Sequence, residues 1–193
     1  KKGKASKKIT IEAGNEKIQL TPPMGWNSWN CWGLSVSDAK VRSSANAMVN
    51  SGLINHGFTY MNIDDGWEAA ARAADGAIVT NEKFPDMKAL SAYLHANGLK
   101  LGIYSSPGTL TCGGYLGSYQ HVQQDANTYA NWGIDYLKYD WCSYGEIAPK
   151  PSLEQLQQPY IEMHQALRNT NRNIVFSLCQ YGMGNVWEWG NKV

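Results

Sequence analysis

Gly133-Ile134-Asp135-Tyr136-Leu137-Lys138-Tyr139-Asp140-Trp141-Cys142 reads as a helix-closing glycine followed by an apolar strand that runs into a lysine and a carboxylate two residues apart. Side chains alternate across a strand, so Lys138 and Asp140 share one face. An earlier strand, Phe58 to Ile63, runs in the same way into Asp64, Asp65, Gly66 and Trp67. Two strands that deliver acids at their carboxyl ends place a candidate site where parallel α/β proteins carry theirs.

The glycine-then-strand signal occurs three times, at Gly57, Gly98 and Gly133. A glycine there supplies the left-handed cap before a short loop into a strand. The segments ahead of these glycines have helical spacing. Ser37 caps a run with Val41, Ala45 and Met48 on one face; Pro85-Asp86 opens one with Met87, Leu90 and Leu94; Val122, Ala126 and Tyr129 mark a third. Ser152 and Gln155 form a capping box before Leu156, Tyr160, Met163 and Leu167, and a fifth strand is expected at Asn173 to Leu178.

With a first strand near Pro23 to Trp26, the order is βαβαβαβαβ at a period of roughly 35 to 40 residues, which calls for parallel strands and right-handed crossovers. Eight such units close a barrel of ~250 residues. The chain therefore reads as α/β, the first five or so βα units of a (β/α)8 TIM barrel, with residues 18–193 as the front of that domain. The competing architecture is a complete doubly wound sheet of five strands. It lacks its phosphate-cradling glycine loop, because Met24-Gly25-Trp26-Asn27-Ser28-Trp29-Asn30 is bulky and aromatic. Residues 1–17 differ: Lys7 to Glu12 alternates and Ala13 to Glu16 suggests a turn, either the last strand of an upstream β-domain or a tail.

Composition bounds the function. At 43% hydrophobic and 17% charged residues the chain is globular. Net charge is +1, and Lys1, Lys2, Lys4, Lys7 and Lys8 crowd the first eight positions, which leaves the remainder mildly acidic. No basic stripe is left to follow a phosphate backbone, so nucleic acid is not an expected partner. No apolar run is long enough to span a bilayer, and any export signal would lie upstream or have been removed. Cys31, Cys112, Cys142 and Cys179 have no zinc-type spacing, and neither metal nor cofactor is expected. Oligomeric state is not legible.

Between Tyr139 and Trp141, the Asp140 carboxylate is expected in an aromatic-walled cleft, with Lys138 as counter-charge favouring the ionised form that a nucleophile needs. A purely structural Lys138–Asp140 pair is the alternative. Adjacent Asp64 and Asp65 point to different sides unless the strand breaks at Gly66; they suit metal ligation or multidentate binding of sugar hydroxyls, or mere capping of a turn. Trp26, Trp29, Trp32, Trp67, Tyr104, Trp141 and Tyr181 all fall beside strand ends, where rings stack on pyranose faces. A carbohydrate ligand follows from that shared placement.

Six ordered motifs resemble those of the glycoside hydrolase family 27 α-galactosidases: residues 22–29, Asn62 to Trp67, Gly98 to Tyr104, Thr111 to Gly114, Tyr136 to Cys142, and Ser177-Leu178-Cys179. The resemblance runs from about Leu20 to the end. It implies a retaining exo-glycosidase that releases terminal α-linked galactose through a covalent glycosyl-enzyme. Asp140 would be the nucleophile, Asp64 and Asp65 would bind the O4 and O6 side of galactose, and Lys138 would reach O3 and O4. Trp26 and Tyr104 would line the pocket. Cys112 and Cys142 would form the family's disulfide beside it, which implies a secreted or periplasmic protein.

The family's acid/base lies on the sixth strand, beyond Val193. Gln180 stands where many members carry a glutamate that binds the 2-hydroxyl, which leaves α-N-acetylgalactosaminide or β-L-arabinopyranoside as alternative substrates. Two other classes compete. A non-catalytic sugar-binding barrel would gain nothing from a reactive carboxylate. A metal-dependent hydrolase using Asp64, Asp65 and Asp140 would lack a nearby histidine, since His56, His95, His121 and His164 fall on helices or their ends.

Overall fold

The computed structural model describes residues 6–8, 18–19 and 21–193. Five parallel strands form one sheet in the sequential order β1-β2-β3-β4-β5: β1 (Met24–Asn27), β2 (Phe58–Asn62), β3 (Lys100–Ser105), β4 (Tyr136–Asp140) and β5 (Val175–Cys179). Among the described residues the order never reverses, as it must in a doubly wound sheet; each strand pairs with the next, as in a barrel. The five expected strands are present, with ends displaced by one or two residues.

The long helices form where capping chemistry and apolar spacing agree. Ser37 accepts from the Lys40 amide at the start of α2 (Asp38–Asn50), which follows the short α1 (Trp29–Trp32). Asp86 accepts from the Ala89 amide before α3 (Met87–Ala96), and α4 (Val122–Trp132) comes next. After the short α5 (Tyr144–Ile147), Ser152 and Gln155 make the full capping box of α6 (Leu153–Arg168); α7 (Val186–Trp189) is one turn. Gly98 and Gly133, at φ 76° and 82°, take the left-handed conformation that ends a helix and admits the next strand.

Alternation divides the sheet into two faces. Met61, Ile63, Leu101, Ile103, Leu137 and Tyr139 are fully or almost fully buried in the core with Val41, Leu90, Leu94, Tyr129, Tyr160 and Met163 of the helices. Asn62, Gly102, Tyr104, Lys138 and Asp140 belong to the opposite face. A Cβ at Gly102 would lie 1.9 Å from Asn62 Oδ1, so only glycine fits between β2 and β4 at that level. The alternating segment expected at residues 7–12 and the turn after it lie outside the described residues, except Lys7 and Lys8, which are in no regular element.

Candidate active site at the carboxyl ends of the strands

β2 stops at Asn62, so Asp64 and Asp65 sit in the turn beyond it and are not bound to strand alternation. Gly66, at φ 103°, completes the break anticipated there. Both acids are buried, 2% and 1% exposed, and they do different work. Asp64 Oδ2 accepts from Lys138 Nζ and from Asn27 Nδ2, each at 2.9 Å, while its Oδ1 accepts from the Asp65 amide. Asp65 turns to the β3 loop, accepting from Thr111 Oγ1 at 2.7 Å and from the Gly113 amide at 2.5 Å. Burial pushes the Asp65 carboxyl upward, partly countered by Thr111 and Gly113.

Lys138 is therefore the partner of Asp64, which corrects its expected pairing with Asp140. Its ammonium passes 5.0 Å from the Tyr104 ring centroid on the way. Burial works against the charge of Lys138, but the bond and charge of Asp64, with Asp140 adding, hold its pKa above the ordinary lysine value.

Asp140, 6% exposed, is held by two phenols. Tyr181 Oη donates to Oδ1 at 2.6 Å and Tyr104 Oη to Oδ2 at 3.2 Å. The aromatic wall is thus built by β3 and by the loop after β5. The sequence neighbours Tyr139 and Trp141 pack with the core on the helix side instead, because consecutive strand residues face opposite ways. Cys112 and Cys142 are joined by a disulfide, with Cα atoms 5.1 Å apart, and Tyr104 Oη lies 3.3 Å from Cys142 Sγ. Cys179 pairs in register with Asp140; burial and that carboxylate push its thiol up to about 11.

Two further aromatics expected beside the strand ends, Trp26 and Trp67, are not brought here. Trp26 is the ladder partner of Met61 and packs against the helix-side core, so it stands on the other face of the sheet from Asp140. Trp67 is fully buried against Tyr129 and Trp132. Trp29, just beyond β1, donates its amide to Asn27 Oδ1 at 2.9 Å and so stands beside the residue that holds Asp64. Gln180 is 2% exposed, and neither atom of its amide has a hydrogen-bond partner. Asp64, Asp65 and Asp140 are committed to three separate sets of donors and do not form a ligand set. Cys112, Asp140 and Cys142 lie within 4.8 Å of one another, but the disulfide consumes both thiols. Asn27 and the phenol of Tyr181 are the contributors that sequence reasoning missed. The signal for Asn27 was its place at the carboxyl end of β1, level with Asn62.

Sequential parallel strands, crossover helices on one face, and carboxylates, a lysine and phenols at the carboxyl ends define a (β/α)-barrel protein with its site at the rim. The family model described as Melibiase_2, alpha galactosidase A, matches residues 21–191. An alpha-galactosidase A of Cellvibrio japonicus (strain Ueda107) is 47% identical over 190 residues, covering 96% of this chain and 45% of that protein. The crystal structure of alpha-galactosidase I from Mortierella vinacea superposes with a TM-score of 0.88 at 39% identity, over 93% of this chain and 45% of that one. The α-galactosidase of Saccharomyces cerevisiae with raffinose gives 0.85 at 37% identity, over 90% and 38%. The chain belongs to the glycoside hydrolase family 27 α-galactosidases. Its five strands are the amino-terminal part of that family's (β/α)8 barrel, and it spans somewhat under half the length of the Cellvibrio and Mortierella relatives.

Proposed function

We propose that this chain is the nucleophile-bearing part of a retaining exo-glycosidase that hydrolyses terminal α-linked galactose. The supporting observation is the buried Asp140 carboxylate at the end of β4, each oxygen held by a tyrosine hydroxyl, beside the Asp64–Lys138 pair. Asp140 attacks the anomeric carbon and forms a glycosyl ester. Asp64 and Lys138 hold the ring hydroxyls, and Asp65 fixes the loop that carries Cys112. A retaining reaction needs a second carboxyl about 5 to 5.5 Å away to protonate the leaving oxygen. That acid/base belongs to the part of the barrel beyond Val193. Gln180 is assigned to the 2-hydroxyl, and the Cys112–Cys142 disulfide favours an oxidising location, secreted or periplasmic.

In the full-length enzyme, a fluorinated galactosyl substrate that slows the second step should leave its adduct on the peptide containing Asp140. Asp140→Ala should abolish turnover of p-nitrophenyl α-galactoside while galactose still binds. An adduct on another carboxylate, or an active Asp140→Ala enzyme, refutes the assignment.

A further inference from the structure

Tyr181 combines two properties that do not ordinarily occur together. Its backbone is left-handed at φ 61°, and its hydroxyl makes a 2.6 Å bond to the carboxylate read here as the nucleophile. A left-handed tyrosine persists only where its surroundings impose it. The loop is built for that turn: Gly182, Gly184 and Asn185 also have positive φ, at 80°, 62° and 55°. The bond to Asp140, with burial adding, pushes the phenol well above its ordinary pKa, so Tyr181 keeps its proton and acts as a donor.

We infer that Tyr181 is a positioning residue that acts through Asp140, and that its hydroxyl serves chiefly the second half of the reaction. This inference rests on the reading of Asp140 as nucleophile. In that step water adds to the anomeric carbon, its proton passes to the acid/base carboxylate, and the ester C–O bond breaks with its electron pair returning to Asp140. Negative charge grows on Asp140 as the bond breaks, and a donor aimed at Oδ1 meets it. A hydrogen bond to a charged acceptor is stronger than one to the neutral ester, so the gain is differential. In the first step the same bond fixes the carboxylate's orientation but stabilises the charge that must attack, so the two effects oppose. Tyr104, at 3.2 Å, holds the other oxygen from a rigid strand; Tyr181 reaches in from a loop.

The test is Y181F in the full-length enzyme with an activated aryl α-galactoside. Expected are a kcat lower by about 10- to 100-fold, from the range for a hydrogen bond to a charged group, a KM lower in proportion, and kcat/KM little changed. Glycosyl-enzyme should accumulate, visible as a burst of phenolate and as an adduct by intact mass, while galactose inhibition is unaltered. Y181W, which keeps an aromatic wall without the phenol, must repeat this pattern. Wild-type kcat without a burst in either folded variant overturns the inference. So does a rise in KM and in the galactose inhibition constant at constant kcat, which would make Tyr181 only a wall. If wild-type enzyme is labelled elsewhere than Asp140, the nucleophile reading itself has failed, whatever the variants do.

Discussion

Replacing Lys138 by methionine removes the cation from Asp64 while roughly preserving volume. Unit charges 2.9 Å apart attract by about 6 kcal/mol at an effective dielectric of about 20, before desolvation is subtracted. The Asp64 side chain is 3% exposed and that of Lys138 24%, so the variant strands a buried carboxylate. Stranding one partner of a buried pair costs about 3 to 5 kcal/mol. Asn27 Nδ2 and the Asp65 amide still donate to Asp64, which places Lys138→Met near the lower end, about 3 kcal/mol. The assay is a pair of double-mutant cycles by urea unfolding of the full-length protein, followed by tryptophan fluorescence. With Asp64→Asn, Lys138→Met should couple by more than about 1 kcal/mol, because the carboxylate no longer needs its cation. With Asp140→Asn, whose charge acts on Lys138 without a direct ion pair, the coupling should be clearly smaller than with Asp64→Asn. Strong coupling to Asp140 and additivity with Asp64 would refute the geometry and restore the pairing suggested by strand alternation.

Peptide mapping of the native protein should find Cys112 linked to Cys142 and Cys31 alkylated quickly; Cys179, half-buried and pushed up to about 11, should react much more slowly. Alkylation of Cys112 without reduction would contradict this. Glu68 is fully buried, its Oε1 is unpartnered, and burial together with Asp65 raises its carboxyl well above the ordinary range. The folded state then binds more protons than the unfolded chain above about pH 4.3, so this group's contribution falls as pH rises through the raised value. Glu68→Gln should flatten that decline, and parallel stability–pH curves for the two proteins would refute it. Gly102→Ala should cost about 1 to 3 kcal/mol by overpacking against Asn62 and Tyr136, and an unchanged urea midpoint would show that Asn62 yields freely.

The strand and helix plan was legible because its signals are local. Capping residues, left-handed glycines and the spacing of Val41, Ala45 and Met48 act within a few residues of the chain, and the structure places them accordingly. The position of Asp140 was legible for the same reason, as was the break after Asp65. The resemblance, and not spacing, carried the disulfide. The aromatic reading failed where it took closeness in sequence for closeness in space: Tyr139 and Trp141 flank Asp140 and for that reason point away from it.

Sequence alone thus determined the order of elements, their parallel sense and which acids stand at strand ends, since each depends on periodicity and local backbone chemistry. Only tertiary structure decided who pairs with whom. β3 lies between β2 and β4, and Lys138 crosses it over the Tyr104 ring to reach Asp64. The phenol beside Asp140 Oδ1 comes from residue 181, on a loop that only the closing of β4 against β5 brings within reach. Such contacts depend on strand register, interstrand reach and the rotamers of long side chains, none of which one strand's sequence specifies.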